Sequence, residues 1–212
     1  MDAIDAAEAI REAVAEEAAS HAEDDQFRNR AALVIAILAA LLAISSLGGD
    51  NAGEDMVTAN IRASDTWAFF QAKNLRQTAN ELAAAQIDAT LLTGGASLSP
   101  EERARLEESA AAFRATAARY EDEPDPAAPG DSLRGDGKKQ LSAQARSWEG
   151  QRDRASSQDT NFDYAAVLFQ IAIVLGSVAI LATSRRTLLF AIALGVAGTA
   201  LTVNGFLLIV PL

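Results

Sequence analysis

YAAVLFQIAIVLGSVAILATSRRTLLFAIALGVAGTALTVNGFLLIVPL, residues 164–212, is the stretch on which the fold turns. Apart from Arg185 and Arg186 it holds no charged side chain. A helix needs about 20 apolar residues to cross a hydrocarbon core of roughly 30 Å. Residues 164–183 and 187–212 each meet that length on either side of the four-residue turn SRRT. A soluble helix keeps a polar face, and neither run has one. The two runs therefore read as a hairpin of transmembrane helices. A third charge-free run, AALVIAILAALLAISSL at 31–47, lies at the short limit and makes residues 31–48 a further span.

Average composition hides this segregation. Half of the residues are hydrophobic and 22% are charged, as in an ordinary soluble domain, but the charges are excluded from three blocks. Acidic residues and alanine dominate the remainder. Residues 1–30 carry nine acids against Arg11, Arg28 and Arg30. The net charge of −11 opposes nucleic-acid binding, which needs Lys and Arg gathered on one face. There is no cysteine, so disulfides and thiolate chemistry are excluded. No basic n-region or A-x-A site precedes the first apolar run, which is expected to be an uncleaved anchor.

Orientation follows the arginines beside span ends. Arg28 and Arg30 precede span one, and Arg185 and Arg186 are expected to fill the turn between spans two and three. Three spans put these four on one side. The N-terminus is thus expected in the cytoplasm. Residues 50–163 fall on the opposite face, the periplasm if the membrane is a bacterial inner membrane.

Outside the spans the spacing is helical. Ile4, Ala7, Ile10, Val14 and Ala18 give residues 1–30 an acidic amphipathic helix suited to a partner helix. Between Met56 and Leu92 there is no proline or glycine, and Ile61, Ser64, Ala68, Ala72, Leu75, Ala79 and Leu82 fall on one stripe expected to pack. Gly94 and Gly95 stop that helix. Ser99, Pro100 and Glu102 supply the N-cap, N1 proline and capping-box acid of the next. Leu106, Ala110, Phe113, Ala117 and Tyr120 form its seam. The region 49–163 then reads as a hairpin 56–93/100–121, a proline- and glycine-rich hinge 122–137, and a helix 138–163 that continues into span two. The fold class is all-α: an integral membrane protein with three transmembrane helices and a helical hairpin or coiled-coil domain between spans one and two.

Chemistry-bearing constellations are sparse. GDGKK at 135–139 lacks the spacing of a phosphate loop and reads as a turn. His21 is the single histidine, and no serine has a base beside it. No catalytic residue, metal ligand or cofactor site is assigned, and an enzyme is not expected. The spans lack ionisable groups, which speaks against a pump. Their polar or small positions are Gln170, Gly176, Gly195, Thr199 and Asn204, candidates for helix packing or for a pore lining, beside Ser45 and Ser46.

One box stands apart: ASDTWAFFQAKNLRQT, residues 63–78. Trp67, Phe69, Phe70, Gln71, Lys73 and Arg76 flank the packing stripe as candidate contacts to a neighbouring subunit or to lipid. Phe69 and Lys73, four apart, can stack. An interfacial position for Trp67 would require the glycine-containing link at 48–53 to fold the helix back.

LAALLAISSL, ASDTWAFFQAKNLRQT and FDYAAVLFQIAIVLGSVAIL together resemble a bacterial membrane-protein family, domain of unknown function 4337. Trp67, Gln71, Ala72 and Lys73 carry the most distinctive part of that resemblance. It implies the architecture of one span, a helical insert and a closing pair, and brings no activity. The expected role is a non-enzymatic homo-oligomeric inner-membrane structural or interaction module, with an ion or small-solute channel as the alternative. Membrane lipid and further copies of the chain are the expected partners, and another membrane protein is a third candidate. Nucleic acid is not expected.

Overall fold

The computed structural model describes residues 3–94 and 97–210. Four helices follow in order: α1, Ala3–Gly94; α2, Pro100–Glu121; α3, Lys138–Leu181; and α4, Arg185–Leu207. The described residues include no strand, only an isolated bridge between Pro124 and Gly135. Three of the helices are long and apolar enough to cross a membrane. Packing divides the chain into two units. One joins the residues up to Glu54 with those from Ala155 onward; the other is the insert Asp55–Arg154.

In the first unit, large side chains of one helix enter gaps left by glycines of another. The buried face of α1 repeats every seven residues as Ala31, Leu38, Ser45 and Ala52. That of α4 is Ala191, Gly195, Gly198, Thr202 and Gly205. Leu38, Ala165, Phe169 and Ala172 form the core, with Val34, Leu41, Leu42, Ile173, Leu194 and Leu201 around it. Phe162 of α3 is 2% exposed and packs over Gly48 of α1 and Gly205 of α4. A Cβ on either glycine would stand 2.7 or 2.8 Å from the ring, inside van der Waals contact. Phe206 meets the Phe162 ring edge-on at 4.9 Å. Phe169 covers Gly198, Ile35 covers Gly176, and Leu38 covers Gly195 in the same manner. These notches let backbones approach closely, which is how small residues drive association of apolar helices.

Gly48, Gly49 and Gly53 are therefore contact residues inside α1, and the fold-back at 48–53 that an interfacial Trp67 would require does not occur: that segment is helical. Glycine weakens a helix by about 1 kcal/mol relative to alanine, but at Gly48 the missing Cβ is what admits Phe162. The link between α3 and α4 is also tighter than expected. Ser184 caps α4, so Arg185 and Arg186 open that helix rather than fill a turn. The amphipathic face proposed for residues 1–30 lies outside the described side chains, apart from an exposed Val14. Gly95 is likewise outside the described residues, and α1 ends at Gly94.

The insert contains the rest of α1, α2, a connector and the start of α3. Ser99 caps α2: its hydroxyl accepts from the Glu102 N–H, while the Glu102 carboxylate accepts from the Ser99 N–H at 2.8 Å. Along α2, Ala110 and Ala117 are buried and Leu106 and Tyr120 half-buried, whereas Phe113 is more open at 37% exposure. Arg114 pairs with Asp88, which sets α2 alongside the end of α1.

The packing face of α1 in the insert differs from the one its apolarity suggests. Ile61, Ser64, Ala68, Ala72, Leu75, Ala79 and Leu82 are exposed, with Leu75 at 72%. The opposite face is covered, through Ala59, Ala63, Trp67, Phe70, Lys73, Gln77 and Ala84. Its polar ends do not keep it in water because each finds a partner within the insert.

Two glycine substitutions separate these environments. Gly205→Ala forces a methyl into the Phe162 ring and is expected to cost about 1–3 kcal/mol; Phe162→Ala empties the notch at about 3–5 kcal/mol. Gly150, inside α3 with nothing within 4 Å of a built Cβ, is expected to gain about 0.4–1 kcal/mol as alanine. Thermal unfolding in detergent, followed by helical circular dichroism, checks all three; a destabilised Gly150→Ala would contradict the open environment.

Candidate functional site

The box 63–78 is held by intramolecular partners. The indole N–H of Trp67 donates to Glu149 of α3 at 2.9 Å, and its ring meets Phe70 edge-on at 5.4 Å. Lys73 is 6% exposed. Its ammonium donates to Glu123 at 2.9 Å and lies 5.4 Å from the Phe69 ring and 5.7 Å from that of Tyr120. A buried ammonium without such a partner would carry a heavy desolvation penalty. Lys138 repeats the pattern, donating to Gln77 at 2.8 Å, pairing with Glu121 at 3.0 Å and lying over Phe70. Arg62 stacks 4.7 Å over Trp148. Trp67, Phe70 and Lys73 are thus spent inside the chain, while Phe69, Gln71 and Arg76 remain exposed.

The same contacts brace the connector 122–137. Asp122 accepts from Lys139 and Gln140, both at 2.8 Å. The Asp136 N–H donates to the Glu123 carbonyl at 2.9 Å, and Gln144 donates to the Gly135 carbonyl. Gly135 has a φ of 119°, in the region that favours glycine.

In the first unit, a polar layer crosses the three helices beside Phe162. Ser45 donates to the Phe162 carbonyl at 3.3 Å. Asn204 of α4 donates to the buried Asn161 at 2.8 Å and exchanges two further bonds with the backbone of Val210. Asn204 therefore fastens the end of α4. Beside this layer, Ser46, Gly49, Asp50, Gly53, Asp159 and Asp163 border a cavity of about 330 Å³. Burial, then the charges of Asp163 and Asp50, hold the Asp159 carboxyl above its usual range.

The remaining span candidates divide by face. Gly176 and Gly195 are covered notches, and Thr199 returns its hydroxyl to the Gly195 carbonyl at 2.8 Å. Gln170 is different: it is exposed and, among the described residues, makes no hydrogen bond. Asp163, Gln170 and Ser177 stand seven residues apart on α3, all exposed. They form a polar line that runs into the charge-free stretch, bordered by the exposed Val167, Val174 and Val178. The spacing is visible in the sequence; that all three face away from the core is not.

A family model described as "Domain of unknown function (DUF4337)" matches residues 27–208. The chain belongs to this family. The match takes in every buried position of the DUF4337 chain named above, from Ala31 to Gly205. No curated protein and no solved structure matches the chain.

The two units of this DUF4337 chain are expected to answer acid in opposite ways. Hydrogen bonds from Lys138 and from Lys139 hold Glu121 and Asp122 below their ordinary values of 4.5 and 3.8. Carboxyls lowered in the folded state contribute stability above their unfolded values and lose it as pH falls through the folded ones. The insert should therefore lose a small, solvent-screened part of its stability as pH falls below the ordinary carboxylate values. Asp159 is raised, so its contribution has the reverse sign: present below its unfolded value and lost as pH rises through the folded one. Both tryptophans, Trp67 and Trp148, lie in the insert, so their fluorescence in thermal scans reads it alone. Asp159→Asn is expected to stabilise the first unit at neutral pH and leave the fluorescence transition unmoved; a shift of that transition would contradict the assignment.

Proposed function

We propose that the chain is an integral membrane protein of three spans, α1 from residue 31, α3 from 164 and α4 from 187, that assembles with copies of itself as a structural or interaction module. The polar line on α3 carries this reading. In a charge-free helix inside a membrane, the exposed amide of Gln170 has no water, and among the described residues it has no partner. In hydrocarbon such a group is costly unless it finds a hydrogen bond. Glutamine both donates and accepts, so Gln170 can satisfy itself against Gln170 of a symmetric copy. The exposed stripe of the insert, from Ile61 to Leu82, offers a second small-residue surface of the kind through which helices associate.

The setting is the inner membrane of a bacterium, with residues 1–30 cytoplasmic and the insert periplasmic, as the four arginines beside the span ends favour. The insert then is a helical hairpin domain whose internal contacts are the cationic and aromatic pairs of the 63–78 box. The role needs no catalysis and no cofactor.

A second reading draws on the same residues. Asp163, Gln170 and Ser177 on several copies, turned toward a shared axis, would line a path for an ion or small solute.

Three measurements test these readings. In detergent, the particle mass is expected to be a multiple of the chain mass. Gln170→Leu is expected to shift the equilibrium toward monomer by about 0.6–2 kcal/mol, typical of an interhelical polar bond. A strictly monomeric wild-type particle would sink both the module and the channel. Planar-bilayer conductance that changes ion selectivity in Gln170→Glu favours the channel; a silent bilayer with an intact oligomer favours the module. For topology, a cysteine at Ala111, exposed on α2, should react with an impermeant reagent added outside intact cells, and one at Arg186 should not.

A further inference from the structure

A cavity of about 500 Å³ lies between the α1 segment that precedes Ala31 and the first turn of α4. It has two chemical halves. Arg30, Arg185 and Gln26 supply one; Phe27, Leu188 and Leu189 supply the other. Glu23 also lines it, 4.0 Å from Arg185, with both side chains about four-fifths exposed. A pair so open to solvent binds weakly. Arg30 makes no hydrogen bond or ion pair among the described residues. Both guanidiniums are therefore available to an incoming anion. Next to the cleft in sequence, Arg28 and Arg186 add positive charge and Asp24 and Asp25 negative charge, so the two lining guanidiniums are what distinguish it.

The cleft stands where charge ends and apolar sequence begins on both helices. Residues 31–47 of α1 and those from Thr187 on α4 are free of charged side chains. A soluble anion would use the cationic half and leave Phe27, Leu188 and Leu189 idle. An amphiphile uses both. Guanidinium donors match a phosphodiester in bidentate geometry, and they do so better than an ammonium. The carboxylate of Glu23 suits a headgroup that also brings hydroxyl donors.

We infer that this cleft binds the headgroup of an anionic glycerophospholipid, its phosphate on Arg30 and Arg185 and the root of its acyl chains on Phe27, Leu188 and Leu189. The inference rests on the membrane reading above. It makes the lipid a specific ligand of the chain rather than bulk solvent.

Native mass spectrometry of the full-length protein from mixed micelles tests it, with phosphatidylglycerol and phosphatidylcholine offered in equal amounts and inorganic phosphate as competitor. The wild type is expected to retain phosphatidylglycerol in preference. Each surface cation near a membrane contributes about fivefold, so the double variant Arg30→Gln/Arg185→Gln should lower the preference on the order of 20-fold. Arg30→Lys/Arg185→Lys should keep most of it, since charge remains and only the fork is lost. Arg105→Gln/Arg146→Gln, exposed in the insert, should keep all of it. A preference that survives in the glutamine double variant, or that falls equally in the insert variant, overturns the site. Displacement of the lipid by millimolar phosphate would also overturn it and point to a soluble anion. Oligomer mass comes from the same spectra and is expected to be unchanged in the glutamine variant, so loss of lipid and loss of assembly are separate readings.

Discussion

A ring seated on a bare backbone is the contact on which the first unit depends. Phe162 fills the space that Gly48 and Gly205 leave open, and so bears on α1 and α4 from its place on α3. The arrangement resolves a conflict between local and tertiary preference. Glycine is a poor helix former, and α1 carries three within six residues at 48–53. Close backbone approach at the notches multiplies dispersion contacts and opposes that cost. Phe169 on Gly198, Ile35 on Gly176 and Leu38 on Gly195 repeat the device, so register along the three helices is set by matching knobs to notches.

The insert solves a different problem with different means. Its helices are rich in alanine and hold few large apolar side chains, so burial alone gives it a thin core. Cations placed between aromatic rings and carboxylates supply what aliphatic packing does not. Lys73 is the clearest case: an ammonium out of water, with Glu123 on one side and the rings of Phe69 and Tyr120 close by. Such a group specifies one arrangement of the connector against α1, since any other leaves its charge unpaired.

What can be read from residues alone follows from this division. The charge-free runs, the Ser99–Glu102 capping box and the α2 seam through Ala110 and Ala117 each rest on a local pattern with one physical meaning, and each has its counterpart in the structure. The face of α1 in the insert is not legible in that way. Ala68, Ala72 and Ala79 on one side look no different from Ala59, Ala63 and Ala84 on the other, and apolarity then favours the stripe with Ile61, Leu75 and Leu82. The structure buries the side with Lys73 and Gln77 because their partners, Glu123 and Lys138, stand 50 and 61 residues away. Gly48 and Gly49 are opaque for the same reason: nothing local shows that they seat Phe162, more than a hundred positions later. The polar line of Asp163, Gln170 and Ser177 lies between these cases, with a visible period and a direction that only the packing of α3 supplies.

The bond from Ser45 to the Phe162 carbonyl joins residues 117 apart in the chain. That separation has a consequence for biosynthesis. The insert runs from Asp55 to Arg154, so all of its residues are made before Phe162, whereas the glycine face of α1 must wait for that ring. Long-range closure of this kind is slow and leaves earlier segments unpartnered in the interval. The young chain therefore passes through a stage in which a weak, glycine-bearing helix stands alone with its notches empty. It is completed only when Gly205, later still in the chain, closes over the ring.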